Sequence, residues 1–232
     1  MKKTILTIIP ARGGSKGVSK KNSKYISDLA LIEYSILGLL KSKLNTYIYV
    51  STDCKDVIRI CRKYPKVQII NRPKELCQDS SSSESALIHS LDHFLKKNGF
   101  LPEITILRQC TSPFVFSSEL DSAINKFNNE NFDSLFSAKC FHGFIWDKNV
   151  KPINHNSSER KPRQEIKNNY VQEDGAFYIL NTNKFVEKKH RFFDKIGYYI
   201  LPDERSIDID TEKDFQLAKL ISQNKSILNE FS

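Results

Sequence analysis

A glycine-rich, cationic segment near the amino terminus has the composition of an anion-binding loop. Residues 11–17 read Ala-Arg-Gly-Gly-Ser-Lys-Gly, and Lys21 and Asn22 follow. Glycines let successive backbone N–H groups turn toward one anion, while Arg12, Lys16 and Lys21 add positive charge. The spacing fits neither a Walker A loop nor the dinucleotide motif Gly-x-Gly-x-x-Gly. A glycine-rich turn with surface cations is the alternative.

Asp208 and Asp210 near the carboxyl terminus have the spacing of a metal site. In a strand, side chains two residues apart lie on the same face. Mg²⁺ in proteins is commonly bound by one or two carboxylates together with substrate phosphates and water. A solvent-facing pair, or one aspartate that caps the last helix, is the alternative.

Three further segments place polar residues where a ligand could bind: Arg72-Pro73 with residues 79–83, residues 109–113, and Arg163-Gln164. The serines of the first segment can hold a base or a phosphate at a helix start, or simply cap that helix. Residues 109–113 follow a predicted strand, which suits both a ligand contact and a plain turn. The Arg163 guanidinium could bind a substrate carboxylate in bidentate fashion.

The elements that would position these residues alternate between strand and helix. Strand patterns cover residues 4–9, 46–51, 67–70, 103–107 and 134–138, and helical patterns cover residues 31–44, 53–64, 83–95 and 119–127. This alternation predicts an α/β fold, a Rossmann-like and mostly parallel sheet flanked by helices. Ligands of such sheets bind at the carboxyl ends of the strands, where the glycine-rich segment must lie.

The pattern dissolves over residues 141–169, which predicts an excursion, either a subdomain or an arm. Strands are again predicted at residues 176–180, 196–201 and 206–209, before a terminal helix over residues 211–222. Thr211 and Asp214 have the spacing of a capping box at the start of that helix. We therefore expect residues 1–232 to form a single domain.

Composition indicates a soluble globular protein. Hydrophobic residues make up 39% of the 232 residues and charged residues 27%. No apolar run approaches the roughly 20 residues that span a bilayer, and the apolar amino terminus reads as a buried strand rather than a signal peptide. We expect a cytoplasmic protein without a membrane partner. Five cysteines without a Cys-x-x-Cys pair predict reduced, mostly buried thiols rather than disulfides or structural zinc.

The net charge of +9 suits either nucleic acid or small anionic substrates. A nucleic-acid-binding protein would need clustered cations with stacking aromatic residues, or a helix-turn-helix. Neither is evident, and Asp208 and Asp210 would repel phosphates in the absence of a metal. We therefore expect small anions rather than nucleic acid as partners.

Together these segments resemble the CMP-sialic acid synthetases, the acylneuraminate or nonulosonate cytidylyltransferase family, over nearly the whole chain. The matching pieces are residues 9–17 with Lys21-Asn22, residues 50–53, Arg72-Pro73, Asp79 with residues 81–83, Gln109 with residues 111–113, residues 162–164, residues 175–179 and residues 206–211. The resemblance implies a nucleotide-diphospho-sugar transferase fold and a homodimer. Residues 141–190 would form a protruding dimerisation and substrate-capping segment.

The implied reaction transfers CMP from CTP to the C2 hydroxyl of a nonulosonic acid of sialic, legionaminic or pseudaminic type. The catalytic residues would be Arg12, Lys21 and Asp210. The nucleotide would be bound by Ala11, Arg12, Gly13, Gly14, Ser15, Lys16, Asn22, Arg72 and Ser82. The sugar acid would be bound by Gln109, Arg163, Tyr178, Phe192 and Phe193. Asp208 and Asp210 would hold Mg²⁺, for which Mn²⁺ can substitute.

This chain departs from the family pattern in and near the implied sugar pocket. Ser19 and Cys110 stand where the family usually has proline, Phe114-Val115 replaces Leu-Arg, and Asp174 replaces asparagine. The resemblance therefore leaves the identity of the sugar acid open. A cytidylyltransferase for the eight-carbon acid Kdo is the nearest alternative, although the glycine-rich loop and Arg163-Gln164 favour a nine-carbon acid.

Overall fold

The computed structural model describes residues 3–14, 17–44, 46–159, 161–165 and 170–231. The strands are β1 (Ile5–Pro10), β2 (Tyr25–Ile26), β3 (Leu29–Ala30), β4 (Thr46–Thr52), β5 (Val67–Asn71), β6 (Ile104–Arg108), β7 (Ser134–Phe141), β8 (Tyr170–Asn181) and β9 (Ile196–Ile200). The helices are α1 (Leu31–Lys41), α2 (Lys55–Cys61), α3 (Ser83–Asn98), α4 (Ser117–Asn129), α5 (Thr182–Lys188), α6 (Glu212–Ser222) and α7 (Lys225–Asn229). Short 3-10 helices cover Lys21–Ser23, Lys74–Leu76 and Arg163–Glu165.

Seven strands form one sheet in the order β5-β4-β1-β6-β8-β7-β9, and β2 pairs with β3 separately. Strands β5, β4, β1 and β6 run parallel, as does the pair β7 and β9. Only β8 among these seven runs antiparallel to its neighbours, β6 and β7. The predicted mostly parallel sheet is confirmed.

Two apolar layers cover the faces of this sheet. Along β1, Ile5 and Ile9 belong to one cluster, with residues of α1, α4 and α6, whereas Leu6 and Ile8 belong to the other, with residues of α3 and α5. This alternation follows from the two-residue period of a strand. Each fully buried aliphatic side chain contributes about 1.5–3 kcal/mol to folding. The continuous apolar runs of the sequence are thus strands buried on both faces.

Side-chain caps fix the starts of α3 and α6. Ser82 Oγ accepts a hydrogen bond from the backbone N–H of Ser85 at 3.2 Å, at the start of α3. Asp214 accepts one from the backbone N–H of Thr211 at 2.7 Å, and Thr211 Oγ accepts one from the N–H of Asp214 at 3.3 Å. The predicted capping box of α6 is therefore confirmed.

Three expectations need correction. Strand β8 begins at Tyr170 rather than at residue 176, because the polar run before Gly175 pairs with the far end of β7 and hides the strand pattern. Residues 206–209 are not one of the strands. Among the described residues, the Ile209 N–H donates to the Thr111 carbonyl at 2.9 Å, but no strand pairing includes this segment. All five thiols are free, as expected, but only two of them are buried.

No helix in the described ranges is long and apolar enough to cross a membrane.

Candidate active site

A cavity of about 440 Å³ opens at the carboxyl ends of β1, β5 and β6. This is the edge at which open α/β sheets bind ligands. The lining residues are Pro10, Arg12, Gly14, Gly17, Lys21, Asn22, Arg72, Ser81, Ser82, Ser83, Gln109, Cys110, Thr111 and Asp210. Of the predicted nucleotide-binding residues, the cavity brings together Arg12, Gly14, Asn22, Arg72 and Ser82. We call it the first cavity.

Backbone contacts hold the glycine-rich segment in place. The Ala11 carbonyl accepts a hydrogen bond from Thr52 Oγ at 2.6 Å, and the Gly13 N–H donates to Asp53 Oδ1 at 2.7 Å. Ala11 is fully buried. Ala11 and Gly13 are thus held through their main chain by the residues that end and follow β4.

The Arg12 guanidinium, one of the predicted catalytic groups, already has partners. Its Nη1 forms an ion pair with Asp79 Oδ1 at 2.8 Å and donates to the Cys77 carbonyl at 3.3 Å. The Arg12 carbonyl in turn accepts a hydrogen bond from Asn22 Nδ2 at 3.1 Å. An incoming phosphate must therefore compete with the Asp79 carboxylate for Arg12.

Lys21 joins the glycine-rich segment to residues 205–211, which we call the aspartate segment. Its Nζ lies 3.1 Å from Asp210 Oδ1 and also donates to the Ile209 carbonyl. The same two segments touch again at Gly17, where an added Cβ would overlap the Asp210 carbonyl oxygen. Glycine at position 17 is therefore required by a close backbone approach.

Arg72 is mostly buried and clamps the end of β4. Its Nε donates to Ser51 Oγ at 3.0 Å and its Nη2 to the Ser51 carbonyl at 2.7 Å. Burial lowers the pKa of Arg72 below its ordinary value. Arginine stays charged at neutral pH even so, so Arg72 adds a fixed positive charge to the cavity wall.

Asp208 and Asp210 are exposed, whereas the alternating residues Ile207 and Ile209 are buried. The predicted alternation thus holds although the segment is not a strand. Asp210 lines the first cavity, and Asp208 lines a neighbouring one. Partial burial, and then repulsion from Asp210, raises the pKa of Asp208 against an opposing hydrogen bond with Thr111.

The neighbouring cavity, here the second cavity, has a volume of about 450 Å³. It is lined by Gln109, Lys139, Gln172, Glu173, Asp174, Gly175, Tyr178, Ser206 and Asp208. Gln109 lines both cavities, so the two adjoin at that side chain. The first cavity is lined by several cations and serine hydroxyls, whereas the second cavity is lined by three carboxylates.

The predicted sugar-binding aromatic residues differ in position. Tyr178 lines the second cavity and its hydroxyl donates to Glu173; burial, and then this contact, raises the pKa of Tyr178 well above its ordinary value. Phe192 packs edge-on against Tyr178 with ring centroids 6.1 Å apart. Phe193 lies in the buried layer beneath. Neither phenylalanine lines the first or second cavity.

Asp174, one of the departures from the family pattern, ties the aspartate segment to the sheet. Its Oδ1 accepts hydrogen bonds from Ser137 Oγ at 2.5 Å and from the Ala176 N–H at 3.1 Å. Its Oδ2 accepts one from Ser206 Oγ at 2.9 Å. This carboxylate therefore sets the path of the chain just before Asp208.

Arg108, which the sequence interpretation missed, lies behind the candidate site. It is 1% exposed and donates to the carbonyls of Gln109, Ala176 and Ser112 at 2.6, 3.0 and 2.6 Å. Burial lowers the pKa of Arg108 to about 10. It shapes the turn that presents Gln109 to both cavities. A charge at the end of an apolar run was the signal that could have revealed it.

Some predicted residues lie outside the described part of the chain. These are Ser15 and Lys16, together with the side chain of Arg163. Their predicted contacts with phosphate and with the sugar-acid carboxylate stay predictions.

Comparison with known proteins gives a family match along almost the whole chain. Residues 6–231 match the family model described as cytidylyltransferase. The chain is 30% identical over 221 residues to N-acylneuraminate cytidylyltransferase B of Danio rerio, covering 91% of this chain and 50% of that protein. The chain thus spans about half the length of that curated relative.

Two further similarities cover nearly the full length of both partners. Pseudaminic acid cytidylyltransferase of Campylobacter jejuni is 28% identical, with 93% of this chain and 95% of that protein covered. A solved structure of CMP:2-keto-3-deoxy-manno-octonic acid synthetase complexed with CTP superposes with a TM-score of 0.68, at 14% identity, covering 96% of this chain and 99% of that one. At that identity, the structural likeness shows the shared fold.

Proposed function

The chain belongs to the cytidylyltransferase family, and on that premise we propose that it transfers CMP from CTP to a nonulosonic acid and releases pyrophosphate. The observation that carries this proposal is the pair of cavities joined at Gln109. Arg12, Lys21 and Arg72 supply positive charge for a triphosphate in the first cavity. The second cavity would take the sugar acid.

The nonulosonic class is supported by the relatives that match over most of this chain. Two of them are named as cytidylyltransferases of N-acylneuraminic and pseudaminic acid. Gln109 and Tyr178, predicted to contact the sugar acid, both line the second cavity. A Kdo-type acid is the competing substrate, and the assay below separates the two.

We propose Mg²⁺ as the cofactor, held by Asp208 and Asp210. In the described ranges no group of three or more histidine, cysteine, aspartate or glutamate side chains is placed to hold a metal. Mg²⁺ would not need one, because substrate phosphates and water commonly supply its remaining ligands. The residues fit a cation, since Asp208 and Asp210 are exposed carboxylates two residues apart that line the two adjoining cavities. Bound Mg²⁺ would offset negative charge on the α-phosphate and the leaving pyrophosphate.

The reaction is an in-line displacement at the α-phosphorus of CTP. The C2 hydroxyl oxygen forms a bond to that phosphorus while the bond to the β-phosphate oxygen breaks, and pyrophosphate leaves. Such transfers depend on positioning and on charge stabilisation rather than on covalent help from the protein. Arg12 and Lys21 would stabilise the developing negative charge.

The hydroxyl proton needs an acceptor on the sugar side. Asp208 lines the second cavity, on the side where the sugar acid would bind. We therefore assign the proton to Asp208, with Gln109 orienting the sugar acid at the junction.

We also propose a homodimer that works in the cytoplasm. Ile196, Tyr198 and Ile200 are 46%, 43% and 37% exposed along the edge strand β9. Trp146 and Ile153, in the segment predicted to mediate dimerisation, are 46% and 55% exposed. An apolar strip of this kind on an edge strand suits a second copy of the chain.

The substrate assay measures pyrophosphate release from CTP and Mg²⁺ with a panel of sialic, legionaminic and pseudaminic acids, with Kdo and with an EDTA control. Release with one nonulosonic acid, abolished by EDTA, is expected. Release with Kdo alone would keep the reaction but overturn the substrate class. Silence with every acid, together with absence of CTP binding, would overturn the proposed function.

A further inference from the structure

Glu84 and Arg191 form an ion pair, and neither residue lines the first or the second cavity. Each of them lies beside residues that do. Glu84 is in the first turn of α3, next to the serines that line the first cavity. Arg191 is in the loop between α5 and β9. Arg191 Nε lies 2.7 Å from Glu84 Oε1, and the two side chains are 18% and 17% exposed respectively.

Both partners are charged at neutral pH. Burial alone would raise the pKa of Glu84, but the hydrogen bond and charge of Arg191, together with a backbone hydrogen bond, outweigh burial and leave the pKa of Glu84 below its ordinary value. Burial alone would lower the pKa of Arg191, yet its interactions with Glu84 and Tyr178 together leave that pKa raised. Removing either partner would leave a half-buried charge unpaired, which is costly.

The same guanidinium covers the aromatic wall of the second cavity. Arg191 Cζ lies 4.5 Å from the centroid of the Tyr178 ring, within the range of a cation–π contact. Phe192, the next residue, packs against the same ring. The Tyr178 hydroxyl is fixed at its other end by Glu173. One side chain therefore connects the helix that begins at the first cavity with the tyrosine that lines the second.

We propose that Glu84 and Arg191 are positioning residues that hold the start of α3 and the Tyr178 ring in fixed relation. This role rests on the proposed function, because its purpose is to align a nucleotide in the first cavity with a sugar acid in the second. Small misplacements of bound reactants are expensive in rate, since the reacting atoms must lie in line. Neither residue contacts the reacting groups directly.

The kinetic test compares Glu84→Gln, Arg191→Gln and the double variant. Each single substitution is expected to lower kcat/KM for the sugar acid about tenfold and to leave KM for CTP within about twofold. CTP binding is spared because Arg12, Lys21 and Arg72 are held by Asp79, Asp210 and Ser51 and not by this pair. The double variant should be no worse than the worse single one, since the pair acts as a unit.

The matched control is Asp92→Asn in the same helix. Asp92 pairs with Lys96 at 2.6 Å, but the two side chains are 53% and 75% exposed and line neither cavity. This variant should keep the wild-type kinetics. Equal losses in the control, or additive losses in the double variant, would overturn the positioning role.

Hydrogen exchange tests the connection without turnover. Glu84→Gln should speed exchange of the Lys195 N–H, which donates to Asp133 Oδ2 at 3.3 Å, and Arg191→Gln should speed exchange of the Ser85 N–H, which donates to Ser82 Oγ at 3.2 Å. Faster exchange confined to the mutated element would overturn the coupling, whether or not the enzyme assay succeeds. If the wild type turns over no acid in the panel and does not bind CTP, the proposed function fails while exchange still decides the coupling. Coupled exchange with unchanged kinetics would overturn the catalytic part of the inference.

Discussion

Asp210 is the side chain at which the glycine-rich segment meets the aspartate segment. Its carboxylate pairs with Lys21, and its carbonyl is in close contact with Gly17. Replacing it by asparagine keeps the shape of the side chain but removes the negative charge that pairs with Lys21 and that would bind the proposed Mg²⁺. We predict that Asp210→Asn lowers kcat by about 10² to 10³-fold, the loss seen when one preorganised charge stabiliser is removed.

Steady-state pyrophosphate release measures this effect, with Glu212→Gln as the control. Glu212 is an exposed carboxylate two residues along, paired with Lys24 at 2.8 Å and absent from the lining of both cavities. Near-native kcat in Asp210→Asn would remove Asp210 from the catalytic machinery.

At the scale of single residues, the sequence predicted site residues where a residue type and its spacing are typical of one kind of site. A glycine-rich cationic loop after a buried strand, and two aspartates alternating with isoleucines, predicted the cavity wall. The partners of these groups were not predictable, because Asp79 and Arg108 reach their positions only through tertiary packing. The spacing of residues along the chain does not predict contacts between residues that are distant in sequence.

At the scale of elements, the glycine-rich segment can approach the aspartate segment closely because residue 17 is a glycine and has no side chain. A methyl group at Gly17 would overlap the Asp210 carbonyl, whereas one at Gly14 would meet nothing within 4 Å. We predict that Gly17→Ala lowers the free energy of unfolding by about 1–3 kcal/mol, as overpacking does. Gly14→Ala should leave it nearly unchanged in urea titrations. Equal stability of the two variants would contradict the close approach.

The Arg205–Glu119 pair anchors the aspartate segment to α4. Arg205 Nη2 lies 2.6 Å from Glu119 Oε1, the side chains are 10% and 11% exposed, and Glu119 Oε2 also accepts from the Phe116 N–H at the start of α4. Arg205→Ala should lower the free energy of unfolding by about 3–5 kcal/mol, because it leaves a buried carboxylate unpaired.

Urea denaturation checks this value against an exposed pair. Arg59→Ala breaks the bond with Asp56, in which the arginine side chain is 78% exposed, and should change stability by less than about 1 kcal/mol. If the two substitutions cost the same, the pair does not anchor the segment.

At the scale of elements, the sequence predicted those with a strong apolar period and missed those whose pattern is polar. Strand β1 and helix α3 began within a residue of their predicted starts. The first half of β8 was hidden because Gln172, Glu173 and Asp174 line a cavity instead of a core. Residues 206–209 had the strand pattern, but Asp174 rather than a neighbouring strand holds them.

For the whole molecule, the edge strand β9 predicts the oligomeric state. Light scattering should give twice the 26.8 kDa mass of the chain. Ile196→Glu would place a charge in the apolar strip and should shift the protein to a monomer. Leu220→Glu, at a 62% exposed position on α6, is the control and should leave the dimer intact. A wild-type monomer at all concentrations would contradict the proposed homodimer.

Phosphorus NMR of the reaction mixture shows most directly which phosphate bond of CTP is broken and what the CMP group is attached to afterwards. With CTP, Mg²⁺ and the preferred nonulosonic acid, the CTP resonances should decline while pyrophosphate and one phosphodiester resonance rise together in equal amounts. Orthophosphate with CDP, or pyrophosphate without the phosphodiester, would mean that the enzyme hydrolyses CTP rather than transferring CMP, and would contradict cytidylyl transfer.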